Sequence, residues 1–136
     1  MVRTGLVVAA LVAASGSGAM AQSTRADSVA VAEMRAALRN VTSAQEIHYS
    51  RHGTYATEFS QLRLRPEVVA KEVTIVIRTA GTRGWNGEAT HTGLAGRSCV
   101  MEMGAPEGAT VATRRDRLNA SERPGRVRCD GDAGAP

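Results

Sequence analysis

The stretch SAQEIHYSRHGTYA, residues 43–56, decides the fold of this 136-residue chain. Its first ten residues complete an amphipathic helical pattern, and Gly53 follows directly after them. Glycine is favoured where the backbone must turn left-handed to end a helix. The stretch therefore predicts a helix that ends at His52, followed by a short loop anchored by Tyr55.

The same helical pattern extends upstream to Asp27. Small and apolar residues recur at three- and four-residue steps and define one stripe of the helix. The stripe consists of Met34, Ala37, Leu38, Val41, Ala44, Gln45 and His48. Asp27 or Ser28 is expected to cap the first turn by accepting from free backbone N–H groups. Because the stripe is narrow and rich in alanine, we expect the helix to lie against a sheet.

Strand patterns dominate the chain after the helix. Residues 72–79 alternate β-branched and polar side chains and give the best strand pattern. Residues 85–92 give a second strand of weaker hydrophobicity, and residues 98–103 give a third strand. A short fourth strand is predicted over 126–129, and a helical turn over 59–62. The order predicts an α+β domain with one N-terminal amphipathic helix packed on a three- to four-stranded antiparallel sheet.

The N-terminus has the pattern of a secretory signal peptide. Arg3 precedes nine apolar residues, 6–14, and small residues at Ala19 and Ala21 follow. Nine apolar residues are too few to cross ~30 Å of hydrocarbon, which needs about 20. The alternative is a short buried helix of the mature domain.

We therefore predict three regions and an exported protein. They are a signal peptide over 1–21, a globular domain over 22–130 and a disordered tail over 131–136. Cleavage after Ala21 leaves no membrane anchor in this prediction, and the localisation is periplasmic or secreted.

The chain has two cysteines, Cys99 and Cys129. An even count in an exported chain favours a single disulfide. The alternative is two free thiols. A redox-active pair would more often be spaced as Cys-x-x-Cys, and this spacing is absent.

Basic residues are concentrated near the C-terminus. Arg114, Arg115, Arg117 and Arg126 are candidates for contacting a partner, and Arg123 and Arg128 lie beside them. The alternative, which we favour over nucleic-acid binding, is a solvated loop balanced by nearby acids. After cleavage only four aromatic residues remain, too few for a platform on which bases stack.

The mature chain resembles the head domain of bacterial type IV pilins and pseudopilins. The pieces that carry the resemblance occur in order along the chain: Leu38, Ala44-Gln45-Glu46, Tyr49, Gly53-Thr54-Tyr55-Ala56, Leu62, the Val/Ile strand, Gly84-Trp85, residues 89–92, Cys99 and Cys129-Asp130. The resemblance implies a helix laid across an antiparallel sheet, with a disulfide-bounded C-terminal loop. The chain departs from the family at its N-terminus, which lacks the long apolar helix used for anchoring and polymerisation, so we expect no filament assembly by that route.

Two histidines are candidate metal ligands. His48 and His52 lie four residues apart, a spacing that places both rings on one side of a helix, and His91 is a candidate third ligand. The alternative is that His48 fills the buried stripe and His52 lies at the helix end, where positive charge is favoured. We favour that alternative and predict no metal and no cofactor.

No pattern of a catalytic nucleophile is present, such as Gly-x-Ser-x-Gly. We therefore predict an exported, non-catalytic, pilin-like structural or interaction protein. It would bind a protein partner in the cell envelope or in a pilus or secretion assembly. The sheet edge and the loop from Met103 to Cys129 are the best-placed surfaces. The alternative is a small exported module that binds DNA or an anionic envelope polymer through its Arg-rich C-terminal loop.

Overall fold

One long helix packs on a four-stranded antiparallel sheet, which confirms the predicted α+β fold. The structure is a computed structural model that describes residues 17–132. The elements are helix α1 (Ser17–His52) and strands β1 (Val73–Ala80), β2 (Gly84–His91), β3 (Ser98–Gly104) and β4 (Arg128–Cys129). The strands follow one another in the sheet in chain order, and each pairs antiparallel with the next.

Helix α1 ends at the predicted residue. Gly53 has a φ of 71°, and its N–H donates to the carbonyl of Tyr49 at 2.8 Å. After this turn the chain runs back along the helix, and the ring centroids of Tyr49 and Tyr55 lie 4.7 Å apart. The Tyr55 hydroxyl donates to Glu46 at 3.1 Å, so the two ring systems fix the loop on the last turns of the helix.

A buried glutamine ties the same loop to the helix. The Gln45 side chain is fully buried, and its amide nitrogen donates to the carbonyl of Ala56 at 2.9 Å. In return, the backbone N–H of Ala56 donates to the Gln45 side-chain oxygen at 2.7 Å. This reciprocal pair satisfies buried polar groups that would be costly to leave without partners.

The predicted stripe of α1 faces the sheet. Six of its seven members are buried, and His48 is partly exposed. Met34, Leu38 and Val41 belong to one core cluster with Trp85 and Met101 of the sheet. Small alanines between these larger residues allow the helix to lie close to the strands.

The start of α1 differs from the prediction. The helix is already formed at Ser17, the first described residue and ten residues before Asp27, and continues through Gly18. Ser28 is therefore not a cap, and its hydroxyl donates to the carbonyl of Thr24 within the helix at 2.9 Å. No proline interrupts residues 17–52, so the helix can extend upstream.

The first turns of α1 extend past the sheet. Residues 20–26 are all exposed, and from residue 20 onward Ala30 is the first buried residue of the helix. Within residues 17–132, no helix is both long enough and apolar enough to cross a membrane. The predicted cleavage point after Ala21 lies inside α1, and residues 1–16 of the predicted signal peptide lie outside the described residues.

Both faces of the central strands are covered. Cys99 and Met101 of β3 face the helix, whereas Val100 on the other face packs with Val111 and Ala120 of the C-terminal segment. The segment after β3 was predicted to be a solvated loop with one short strand. Part of it instead forms a second layer over the sheet.

The end of the described chain is held in place. The N–H of Gly131 donates to the Asp116 carboxylate at 2.6 Å. The Asp132 carboxylate accepts from the N–H of Cys129 at 2.7 Å and pairs with Arg35. These contacts involve residues 131 and 132 of the predicted tail, while residues 133–136 lie outside the described residues.

Candidate functional site

The disulfide joins the last two strands of the sheet. Cys99 in β3 and Cys129 in β4 are bonded, as predicted, and they are cross-strand partners in the sheet. Both side chains are fully buried in the core under α1. Because β4 has only two residues, the bond fixes the C-terminal segment to the sheet at this point.

Asp130, which directly follows Cys129 of the disulfide, holds the C-terminal segment against the sheet. It is buried, and its carboxylate accepts from the backbone N–H groups of Ser98 and Asp116, each at 2.7 Å, and of Arg115 at 3.2 Å. Burial alone would raise the pKa of this carboxyl, but these hydrogen bonds favour the charged form and hold the pKa below its usual value.

Asp116 completes this arrangement from the opposite side. Its carboxylate accepts from the Arg115 guanidinium at 2.8 Å and from the N–H of Gly131. These two contacts lower the pKa of Asp116 to about 2. The loop around Asp116 and the chain around Asp130 therefore bind each other reciprocally, carboxylate to backbone.

A buried carboxylate organises the outer face of the sheet. The side chain of Glu88 in β2 is only 6% exposed, and it accepts from Arg78 at 2.6 Å and from Arg114. Burial would raise the pKa of Glu88, but the hydrogen bonds from Arg114 and Arg78 outweigh it and lower the pKa. The buried carboxylate and its two half-exposed arginine partners form an ion cluster that joins β1, β2 and the C-terminal segment.

The four arginines proposed from the sequence as partner contacts differ in their surroundings. Arg114 is paired with Glu88. Arg115 is paired with Asp116. Arg117 is exposed, with its backbone in the left-handed region at a φ of 58°. Two of the four positive charges are thus neutralised by carboxylates, which reduces the attraction of this segment for a polyanion.

Arg126, the fourth of them, lines a groove beside α1. This feature, which we call the arginine groove, has a volume of about 540 Å³ and lies between α1 and residues 125–127. Its walls carry basic and hydroxyl side chains, and its remaining lining is apolar. The lining residues are Arg35, Arg39, Thr42, Ser43, Met101, Gly125, Arg126 and Val127.

The three histidines do not come together. The rings of His48 and His52 lie 4.3 Å apart at the end of α1. Desolvation and the neighbouring His52 lower the pKa of His48. His91 instead contacts Glu33, which is fifteen residues or ~22 Å of helix before His48.

His91 also has no free nitrogen for a metal. Its Nδ1 accepts from the N–H of Gly93 at 2.9 Å, so Nε2 carries the proton that is donated to Glu33 at 2.8 Å. His91 is therefore not a third ligand to His48 and His52. Within residues 17–132, no group of three or more His, Cys, Asp or Glu side chains is arranged to hold a metal ion.

The residues missed by the sequence analysis are buried polar groups. Asp130 was noticed only as a neighbour of Cys129, and Glu88 only as a member of a weak strand. Neither has a sequence signal that separates a buried, paired carboxylate from a solvated one. Gln45 gave a partial signal, because it lies on the buried stripe among apolar residues.

Comparison with protein-family models, with curated proteins and with solved structures found no match to this chain.

Proposed function

We propose that this chain is an exported, non-catalytic, pilin-like protein that binds a protein partner in the cell envelope or in a pilus or secretion assembly. The fold supports the proposal, since a long N-terminal helix lies across an antiparallel sheet and a disulfide closes the C-terminal segment. Export is supported by that disulfide, because such bonds persist in oxidising compartments.

The observation that carries the proposal is the difference in burial between the two parts of α1. The second part of the helix packs on the core, whereas residues 22–26, the first residues of the proposed mature chain, are all exposed. Val29, at the boundary, is 52% exposed although it is apolar. A helix that extends beyond its own domain offers a surface to a second chain.

The local structure of residues 43–56 gives further support. The residues that carry the pilin resemblance are those that build the helix end: Gln45 binds Ala56, Tyr49 stacks on Tyr55, and Gly53 reverses the chain. In this chain these residues therefore position the loop on the end of the helix.

Photo-cross-linking in the native host tests the proposal. A benzophenone amino acid is placed at Val29 on the extended helix and at Ser43 in the arginine groove. The control position is Lys71, which is highly exposed and does not line the groove. We expect a discrete adduct with an envelope, pilus or secretion component from Val29 or Ser43, and none from Lys71. A protein confined to the cytoplasm, or the absence of a discrete adduct at all three positions, would contradict the proposal.

The alternative, binding of DNA or an anionic polymer, is less well supported by the geometry. Arg114, Arg115 and Arg128 are paired with carboxylates, so half of the six C-terminal arginines are neutralised. Binding that depends on phosphate contacts falls steeply with salt because counterions are released. Retention on DNA that is strong and falls steeply with salt would favour the alternative.

A further inference from the structure

The arginine groove combines a basic rim with an apolar floor. Met101, only 3% exposed, and Val127 supply the apolar part, while Arg39 and Arg126 are exposed at the rim. The groove runs between a helix and the last edge of the sheet, where β4 is only two residues long. A ligand that fits both parts must carry negative charge and apolar surface together.

The charges on the rim are available to a ligand. Among the ion pairs of the described chain, Arg39 and Arg126 have no carboxylate partner. Arg35 is different, because it pairs with Asp132 and donates to the carbonyl of Val127 at 3.2 Å. The Arg35 guanidinium is therefore engaged within the chain, and among the arginines of the groove Arg39 and Arg126 remain without a carboxylate partner in the described residues.

We infer that the arginine groove binds an acidic segment of the protein partner, with Asp or Glu carboxylates at Arg39 and Arg126 and an apolar side chain on Met101 and Val127. This inference rests on the proposed function and names the chemistry of the partner. The planar guanidinium matches a carboxylate with two parallel hydrogen bonds, which gives direction as well as attraction.

Size and composition favour a peptide over a nucleic acid. A volume of about 540 Å³ accommodates a few side chains, and two free charges are few for a polyphosphate backbone. Base stacking requires exposed aromatic rings, and none lines the groove. Thr42 and Ser43 donate their hydroxyls to helix carbonyls, so the arginines are the main donors on this wall.

The opposite flank of α1 provides a matched control. A second groove near the helix end contains Arg51 and Arg63, which likewise have no carboxylate partner among the described residues. Its volume is about 350 Å³, and its floor lacks Met101 and Val127. The double variant Arg51→Glu/Arg63→Glu therefore changes net charge as much as Arg39→Glu/Arg126→Glu does, without touching the arginine groove.

Fluorescence polarisation with defined peptides tests the inference on the full protein purified from its host. The probes are a labelled pentapeptide that alternates Asp or Glu with Leu, its Asn/Gln counterpart and a labelled single-stranded oligonucleotide. We expect the acidic peptide to bind wild type and the Arg51/Arg63 variant alike, and Arg39→Glu/Arg126→Glu to bind at least about tenfold more weakly. The neutral peptide should bind poorly.

Three results would overturn the inference. The first is an equal loss of affinity for the acidic peptide in both double variants. The second is unchanged affinity for that peptide in Arg39→Glu/Arg126→Glu. The third is oligonucleotide binding that is tighter than peptide binding and is lost in Arg39→Glu/Arg126→Glu. Circular dichroism melts check folding, and the milder Arg39→Gln/Arg126→Gln pair repeats the comparison if the glutamates disturb the fold.

Cross-linking from Ser43 in the host separates this inference from the proposed function. A partner adduct that persists in the Arg39→Glu/Arg126→Glu background would overturn the inference and leave the proposed function standing. An adduct lost in that background and kept in Arg51→Glu/Arg63→Glu supports both. If neither Ser43 nor Val29 gives an adduct, that result counts against the proposed function. The peptide measurement then tests ligand binding by the groove independently.

Discussion

Reduction of the Cys99–Cys129 disulfide should lower the stability of the protein substantially. The two cysteines are 30 residues apart, and the segment between them includes the second layer over the sheet. In the chain-entropy description, opening a loop of this length gives the unfolded chain freedom worth about 3.6 kcal/mol at room temperature. For a domain of this size that corresponds to a fall in melting temperature of roughly 10 to 18 °C.

The assay is a far-ultraviolet circular dichroism melt with and without dithiothreitol. The double variant Cys99→Ala/Cys129→Ala is the control, since its melting temperature should be low and should not respond to the reductant. Chemical labelling of thiols confirms that the bond was opened. If fully reduced wild type melted within about 2 °C of the oxidised protein, the bond would not be what holds the C-terminal segment, and this reasoning would be refuted.

Three further predictions follow from the buried polar contacts and the close strand pairing. Gln45→Ala should lower the free energy of unfolding, measured by urea denaturation, by about 2–3 kcal/mol, because it leaves the N–H and C=O of buried Ala56 without partners. The control Ser43→Ala, on the exposed side of the helix, should change this free energy little. The pKa of Glu88 is lowered in the folded state, so its contribution to stability is complete above its ordinary pKa of 4.5 and is lost as pH falls through the lower folded value. The free energy of unfolding of wild type should therefore fall more steeply across that acid range than that of Glu88→Gln. Parallel curves of unfolding free energy against pH would refute the role of this ion cluster. Gly84→Ala should destabilise the protein by more than about 2 kcal/mol, because a Cβ there would lie 2.3 Å from the Met103 carbonyl oxygen. Gly81→Ala should have a small effect, since there is open space around Gly81. Equal melting temperatures of the two variants would contradict the close approach of the strands at Gly84.

The sequence predicts local elements well where one signal dominates. Gly53 marks the helix end, the β-branched run marks β1, and the even cysteine count predicts the disulfide. The helix start was placed too late because Asp27 and Ser28 are good caps by type. Capping preference is a small energy, and the continuous helix-compatible residues before them outweigh it.

The candidate site is harder to predict because it depends on contacts between distant residues. Arg114 and Arg115 appear as free positive charges in the sequence, yet each meets a carboxylate that folding brings to it. Arg39 is an unremarkable residue of the outer helix face until residues 125–127 are placed beside it. Pairing of charges is set by tertiary structure, so a count of basic residues could not show which of them remain available.

Native mass spectrometry of the protein from the exported fraction of its host tests the central claim most directly. The account predicts a chain that begins at Gln22, has Cys99 and Cys129 oxidised, and is held in a complex with a second polypeptide. A chain recovered only from the cytoplasm, with Met1 retained, both thiols free and no bound polypeptide, would contradict it.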